Sequence, residues 1–178
     1  MRILGLDAST TCTGWCLFED NKVIDYGNIR PPKEYGLWRD KIAYLTQEIF
    51  KLLDKLNADE VCVEVPLCSV ANIKTVRTLF SLHGAIMGVC SLVGVPIIPI
   101  EVSEWRQSLG LLKDLPKGRT KNILKQRSID LANKLYGLDL VYKSPSSQSN
   151  QDDIADSILL THCYIHKNQR GFGVTKEV

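Results

Sequence analysis

The chain has 178 residues, 44% of them hydrophobic and 24% charged, which suits one soluble globular domain with a substantial core. The sequence pattern shows no apolar run long enough to cross a bilayer, and the N-terminus lacks the charged, apolar and cleavage regions of a secretory signal. We therefore expect an intracellular protein, cytoplasmic or nucleoid-associated, with no membrane partner. The net charge of +2 is too small to indicate a nucleic-acid partner by itself.

Three strands are predicted in the first thirty residues, where residue types alternate and β-branched and aromatic side chains are frequent. They run over residues 2–8, 13–19 and 22–29. The polar turn Glu19-Asp20-Asn21 joins the last two strands into a hairpin. Pro31-Pro32 ends the third strand.

Helices and strands alternate in the rest of the chain. We predict helices over 38–56, 72–92 and 120–136 and from a cap at Asn150 to about His166, strands over 60–65 and 95–100, and a short helix, capped by Ser103, around Trp105. Trp15 and Trp38 are expected in the core. The tail, residues 167–178, lacks periodicity and is expected to be loosely ordered. The order β-β-β-α-β-α-β-α-α predicts one α/β domain over 1–178, a mixed five-stranded sheet with helices on both faces.

Two acidic residues stand where otherwise apolar strands end. Asp7 follows Ile3-Leu4-Gly5-Leu6, and Glu64 lies within Val61-Cys62-Val63-Glu64-Val65. A buried carboxylate is costly unless it is paired or binds a cation. Taken alone, either residue is better explained as a strand-end acid that points into solvent or pairs with a lysine.

A third acidic site opens the last predicted helix, in Asn150-Gln151-Asp152-Asp153-Ile154-Ala155-Asp156. Asp153 and Asp156 are three residues apart and share one helix face. The helix macrodipole explains an acid at 152 or 153 well, but it explains Asp156 less well. Acids that meet repel one another unless a cation neutralises them, and all-oxygen ligands suit Mg²⁺ or Mn²⁺. A pair of such ions can activate a water and stabilise the leaving oxygen in phosphodiester hydrolysis.

A basic stretch between Lys113 and Arg127 offers phosphate contacts. It contains six lysines and arginines against one acid, Asp114. Such a stretch can neutralise phosphates even in a nearly neutral protein. On charge alone, an ordinary solvated helix face explains it equally well.

At these residues the chain resembles the RuvC-type Holliday junction resolvases, within the RNase H-like nuclease superfamily. The segments I-L-G-L-D-A-S-T-T-C-T-G-W, V-C-V-E-V-P and D-D-I-A-D-S-I-L-L-T-H-C carry the resemblance, which runs from Ile3 to about His166. It implies an RNase H-like fold and a magnesium-dependent endonuclease, with Mn²⁺ as a substitute and two ions in each active site. The catalytic residues and metal ligands would be Asp7, Glu64, Asp153 and Asp156.

The resemblance also implies a homodimer that cuts four-way DNA junctions by paired symmetric nicks. The helix over 72–92 would be the main dimer helix, with the partner subunit meeting apolar positions among Leu79, Leu82, Ile86 and Val89. Gly118-Arg119-Thr120-Lys121 is similar to the basic segment that approaches DNA in the family. The residues expected to contact DNA are therefore Lys117, Arg119, Lys121 and Lys125.

The chain departs from the family pattern at three places. Ala8-Ser9 replaces the Pro-Gly of bacterial members, and Leu67 replaces an aromatic residue that can stack on a base. The doublet Asp152-Asp153 leaves open which acid is the ligand, although the spacing to Asp156 favours Asp153. These differences suggest a divergent branch, such as a phage or organellar relative, with a modest sequence preference.

Three alternatives stay open. A nuclease of the same fold could act on flaps or structured RNA. Asp7-Ala8-Ser9-Thr10-Thr11 after a strand is also similar to the first phosphate loop of actin-like ATPases, but 178 residues cannot hold both domains of that fold. A non-catalytic DNA-binding module would use the acids only structurally. Dimerisation and magnesium-dependent cleavage distinguish these alternatives from a resolvase.

Overall fold

The computed structural model describes residues 1–67, 73–117, 120–145 and 147–171, the last four of them by backbone only. The strands are β1 (Arg2–Asp7), β2 (Thr13–Glu19), β3 (Lys22–Ile29), β4 (Glu60–Val65) and β5 (Ile97–Glu101). The helices are α1 (Trp38–Leu56), α2 (Ile73–Val93), α3 (Val102–Ser108), α4 (Lys121–Tyr136) and α5 (Asp152–Gly171). The predicted strands and helices are confirmed, except that three helices follow β5 where the predicted order β-β-β-α-β-α-β-α-α has two.

The five strands form one mixed sheet in the order β3-β2-β1-β4-β5. Neighbours within the first three strands are antiparallel, because short turns connect them. β4 lies parallel to β1, and β5 lies parallel to β4. Helix α1 is the crossover from β3, which has the same direction as β1, to β4, and α2 is the crossover from β4 to β5. The predicted five-stranded sheet is therefore confirmed.

Helices cover both faces of the sheet, as predicted. Leu4 and Leu6 of β1 pack in one core cluster with buried residues of α1 and α2. Ile3 of β1 packs in a second cluster with buried residues of α3, α4 and α5. The two clusters lie on opposite sides because successive side chains of a strand point to opposite faces.

Helix α5 lies directly against β1 and β2, where two glycines leave room for it. A Cβ atom on Gly5 would lie 1.9 Å from Oγ1 of Thr161, and a Cβ atom on Gly14 would lie 2.0 Å from the carbonyl oxygen of Asp153. Both distances are far shorter than any van der Waals contact. The absence of side chains at these positions thus brings the N-terminus of α5 against the ends of the strands.

Two predicted helix caps are wrong. Helix α3 begins at Val102, and its N-cap is Glu101, so Ser103 lies inside the helix. The side chain of Asn150 accepts a hydrogen bond from the backbone of Lys143 at 2.9 Å and donates one to the carbonyl of Ser144 at 2.6 Å. Asn150 therefore ties down the preceding loop and does not cap α5, which begins at Asp152.

The structure also corrects the predicted end of the last helix and the predicted burial of Trp38. Helix α5 continues past His166 to Gly171, so the first part of the predicted tail is helical, and residues 172–178 lie outside the described residues. Trp38 is 40% exposed, in contrast to its predicted core position, because it begins α1 at the edge of the core. Trp105, whose place the sequence left open, is fully buried.

Helix α2 is apolar on more than one side. By length and composition alone it could cross a membrane, contrary to the expectation that no apolar run is long enough. Leu82, Ile86 and Val89 are buried in the protein's own core, so assigning them to a partner subunit was wrong. The exposed apolar side chains of α2 include Phe80 and Met87.

Candidate active site

Strands β1 and β4 bring Asp7 and Glu64 to the same edge of the sheet. Leu6 pairs with Val63, so the next residue of each parallel strand is one of the two acids. Cys62, two residues before Glu64, packs in the cluster that contains α5, and Gly5, two residues before Asp7, faces α5 directly. The alternation of side chains therefore turns both acids toward the face that α3 and α5 cover.

The N-terminus of α5 brings two further acids to this edge. Burial raises the pKa of Asp7 well above its usual range, and the negative charges of Glu64, Asp156 and Asp153 raise it further. Carboxylates affect one another in this way only when they lie close together in a poorly solvated place. The structure thus brings together all four acids that the sequence singled out.

Each of the other acids in the group also holds its proton more tightly than usual. Burial, followed by the charge of Asp156, raises the pKa of Glu64 to about 7. Burial also raises the pKa of Asp156 and that of Asp153. The carboxyl groups therefore lie in a poorly solvated place, where a bound positive charge would stabilise their ionised form.

Helix α3 supplies two residues of the site that sequence reasoning missed. Trp105 donates a hydrogen bond from Nε1 to Oε2 of Glu64 at 3.0 Å. Nη2 of Arg106 lies 3.0 Å from Oδ2 of Asp156, and its positive charge lowers the pKa of Asp156, Glu64 and Asp7. Their position could have been found, because β5 runs parallel to β4 and the residues that follow β5 must therefore lie at the same edge of the sheet as Glu64.

The doublet at the start of α5 is divided between two surroundings. Asp152 is buried and forms an ion pair with Lys125 of α4. The charge of Asp153 acts on Asp7 of β1 and on Cys12. Asp153 therefore stands nearer to the acids of the sheet, and Asp152 is held by α4.

The donor chemistry of the four acids fits a divalent metal ion. All four acids offer oxygen ligands. Oδ1 of Asp156 is buried without a hydrogen-bond partner. The hydroxyl of Ser128 lies close enough to Asp156 to lower the pKa of this acid. No three Asp, Glu, His or Cys side chains in the described part of the chain are arranged to hold a metal ion between them. Trp105 and Arg106 each hold one oxygen of Glu64 and Asp156, and Oδ1 of Asp156 is left as an oxygen that can bind a cation.

The residues expected to contact DNA have different surroundings. Lys117 and Lys121 are exposed, and Lys121 begins α4 one turn before Lys125, on the same helix face. Lys125 is engaged by Asp152, which leaves it less available to phosphates than predicted. Arg119 lies outside the described residues.

The raised pKa of Glu64 predicts how the stability of the metal-free protein depends on pH. Its pKa is about 7 in the fold against 4.5 ordinarily, so its contribution to stability is fully present below pH 4.5 and is lost as the pH rises through about 7. Glu64→Gln removes the charge and keeps an acceptor for Trp105. At pH 8 we expect this variant to melt about 3 °C or more above the wild type. Near pH 4 the two proteins should have the same melting temperature.

Thermal unfolding in excess chelator between pH 4 and pH 8 checks this expectation. Glu34→Gln removes an exposed carboxylate and is the control, which should change the melting temperature little at either pH. A Glu64→Gln protein that melts below the wild type at pH 8 would show that the charge of Glu64 stabilises the fold.

The fold and the acidic edge define a class of protein. A mixed sheet in the order β3-β2-β1-β4-β5, crossed by a helix whose acids meet those at the ends of β1 and β4, is an RNase H-like fold. No family model matches the chain. Over 166 residues, covering 91% of this chain and 89% of the relative, it is 28% identical to the crossover junction endodeoxyribonuclease RuvC of Protochlamydia amoebophila (strain UWE25).

Solved structures agree with this assignment of the fold. RuvC of T. thermophilus in complex with a Holliday junction substrate superposes with a TM-score of 0.71 at 13% identity, covering 96% of each chain. Fowlpox virus resolvase in complex with Holliday junction DNA gives a TM-score of 0.59 at 20% identity, covering 94% of this chain and 99% of that one. The predicted resemblance to the RuvC-type resolvases and the predicted RNase H-like fold are both confirmed.

Proposed function

We propose that this protein is a metal-dependent endonuclease that resolves four-way DNA junctions by paired symmetric nicks. The observation that carries the proposal is the meeting of Asp7, Glu64, Asp153 and Asp156 at one edge of an RNase H-like sheet. The sequence relative is named a crossover junction endodeoxyribonuclease, and the two solved structures are resolvases with junction DNA. An enzyme that acts on DNA in this way works inside a cell.

The four acids would hold Mg²⁺, or Mn²⁺ in its place, as a pair of ions. Metal bound there would supply the positive charge that keeps the acids ionised, and would polarise the attacking water and the phosphate. Trp105 orients Glu64 through its hydrogen bond, and Arg106 carries a positive charge into the site. Its guanidinium group can also balance negative charge on the phosphate oxygens.

Competition among labelled substrates tests the proposed function. A four-way junction, a flap, a structured RNA hairpin and a linear duplex are incubated together at moderate salt with Mg²⁺, with Ca²⁺ or with chelator. We expect paired nicks at symmetric positions in the junction with Mg²⁺, and binding with little cleavage in Ca²⁺, whose larger and looser ligand shell misplaces the nucleophile.

The other outcomes separate the alternatives. Equal cutting of the flap or the RNA indicates a general structure-selective nuclease. DNA binding without cleavage under any metal indicates a non-catalytic module. Full activity in excess chelator contradicts the metal-dependent mechanism.

We further propose that the protein is a homodimer that uses the exposed side of α2. Ile73, Arg77, Phe80, Gly84 and Met87 recur at spacings of three and four residues and are all exposed, so they form one stripe along the helix. No other group lies within 4 Å of the place of a Cβ on Gly84, which lets a second helix approach closely. Two symmetric active sites require such a dimer.

The variant Phe80→Glu should convert the dimer to a monomer, because it places a charge at the centre of this stripe. Light scattering at micromolar concentration, with and without junction DNA, measures the change. Paired nicks should become single nicks at a lower rate. Leu135→Glu charges an equally exposed apolar position on α4 and should leave the dimer intact. A wild-type protein that is monomeric both free and on DNA would contradict the proposal.

A further inference from the structure

An open cavity of about 450 Å³ lies beside the acidic edge of the sheet. Three cations line it, Arg30 and Lys33 from the segment after β3 and Lys41 from α1, together with the hydroxyls of Thr10 and Thr11 and the amide of Gln148. We refer to it as the Arg30 cavity. Two prolines complete the lining, which includes no acid among the residues that the structure describes.

The three cations of the Arg30 cavity differ from Lys125 of α4 in forming no ion pair within the described part of the chain. Among the residues that the structure describes, neither Arg30 nor Lys33 nor Lys41 forms an ion pair. Arg30 makes one long hydrogen bond, at 3.5 Å, to the carbonyl of Asn150. On α4, by contrast, Lys125 is paired with Asp152. Positive charges that are gathered in a concave surface without partners attract an anion.

The cavity adjoins the four acids. Thr10 and Thr11 belong to the connection between β1 and β2, which starts immediately after Asp7. The charge of Arg30 reaches Asp153, whose pKa it lowers. Lys125 approaches the N-terminus of α5 from α4, whereas Arg30 approaches it from the end of β3. The acids are therefore flanked by positive charge from two different parts of the chain.

We propose that the Arg30 cavity binds the phosphodiester backbone of the DNA strand beside the phosphate that is cut. The inference rests on the proposed nuclease function and extends it to the path of the strand. Guanidinium, ammonium, hydroxyl and amide groups all donate hydrogen bonds to phosphate oxygens. Because such contacts do not read bases, the cavity positions the strand and contributes nothing to sequence preference.

A second cavity, next to the Arg30 cavity, indicates the direction in which the DNA strand would run. It has a volume of about 260 Å³, shares Thr10 with the Arg30 cavity, and is lined by Trp38, Lys74 and Thr78 among others. Two of these residues belong to α2. Lys74 and the threonine hydroxyls of this cavity thus extend the hydrogen-bond donors of the Arg30 cavity past Thr10 to the helix of the proposed dimer. A strand that leaves the active site along this surface would lead toward the proposed partner subunit.

The salt dependence of DNA binding tests the inference. The triple variant Arg30→Gln, Lys33→Gln, Lys41→Gln is compared with the control triple Lys22→Gln, Lys55→Gln, Lys134→Gln, which removes the same charge from exposed positions outside the cavity. Junction binding is measured in Ca²⁺ over a series of salt concentrations. Each lost phosphate contact lowers the slope of log affinity against log salt by about 0.9, so we expect a decrease of about 2 to 3 for the cavity triple. The control triple should keep nearly the wild-type slope.

Junctions with a single methylphosphonate linkage show where the contact lies. Replacing a bound phosphate by this neutral group should weaken binding of the wild type and of the control triple. It should not weaken the cavity triple further, because that protein has already lost the contact. The affected linkages should lie next to the cut site, on one side of it.

Several results would overturn the inference. The cavity triple could show the same salt slope as the control, or the same sensitivity as the wild type to every neutral linkage. Inorganic phosphate could raise the melting temperature of the wild type but not of the cavity triple, with no difference in DNA binding, which would assign the cavity to free phosphate. If the triple does not fold, Lys33→Gln alone replaces it, since Lys33 is exposed, and its slope should fall by about 1.

Failure of the proposed function looks different from failure of this inference. If the wild type binds a four-way junction no better than a linear duplex, or never cuts it, the resolvase proposal fails. The two triples can then still be compared on the duplex. A difference in slope there would support the cavity as a phosphate site independently of the junction.

Discussion

Asp7→Asn is expected to lower junction cleavage roughly 10³-fold or more while junction binding persists or becomes tighter. The amide keeps the shape of the side chain but removes one negative metal ligand. The negative charges of all three other acids raise the pKa of Asp7, so Asp7 interacts electrostatically with each of them. Removing its charge also lessens the repulsion between the site and a phosphate. Single-turnover cleavage and equilibrium binding of the same junction measure the two effects separately.

The neighbouring acids of α5 provide the sharpest comparison. Asp153→Asn should be nearly as inactive as Asp7→Asn, because Asp153 lies near the acids of the sheet. Asp152→Asn breaks the ion pair with Lys125 and should reduce cleavage far less. Asp54→Asn changes an exposed acid on α1 and is the control. An inactive Asp152→Asn beside an active Asp153→Asn would reverse the assignment, and normal cleavage by Asp7→Asn would reject the site.

The placement of Asp7 and Glu64 at strand ends could be predicted because it depends on local rules, whereas the pairing that makes them meet was implied by the family resemblance. Each acid interrupts an apolar strand at its end, and the alternation of side chains places both on one face once the two strands pair in parallel. The spacing of Asp153 and Asp156 on a helix is equally local. These patterns require only the periods of the two kinds of element, which are visible in the sequence.

The sides of α2 could not be predicted, because this helix is apolar almost all round. Leu82 and Ile86 are buried, whereas Phe80 and Met87 are exposed, and both pairs are hydrophobic. A stripe can be assigned to the core only when the opposite face is polar. The packing of α1 and the sheet decides between the two sides, and that packing is tertiary.

Partners of charged residues were also beyond the reach of sequence reasoning. Lys125 belongs to a basic stretch that suits phosphate binding, but Asp152 of α5 binds it within the protein. Arg30, Lys33 and Lys41 do not form a continuous basic stretch in the sequence. The fold assembles them around one cavity, and it also sets Arg106 against Asp156. The sequence therefore shows which residues are basic, but it does not show which of them are free of partners within the protein and can bind phosphate.

Gly14→Ala is expected to reduce junction cleavage about 100-fold or more, although Gly14 contributes no functional group. Gly14 pairs with Asp7 across β1 and β2. An added Cβ would lie 2.0 Å from the carbonyl oxygen of Asp153 and 2.2 Å from its carbonyl carbon. Both are backbone atoms, so no side-chain rotation relieves the clash, and the start of α5 must move away from the sheet. A displacement of about 1 Å in a catalytic group is enough for a loss of this size.

The same substitution should also lower the free energy of unfolding by about 1–3 kcal/mol, as for other overpacked positions. Cleavage is therefore measured well below the melting temperature, together with junction binding, which should be largely retained. Gly27→Ala is the matched control, since it also adds a methyl group to a strand of the sheet, but the nearest atoms to that group belong to the side chain of Trp15, at 3.0 and 3.1 Å. It should keep most of the activity because it leaves α5 in place. If Gly14→Ala instead melts and cleaves like the wild type, the close packing of α5 on β2 does not control the position of Asp153.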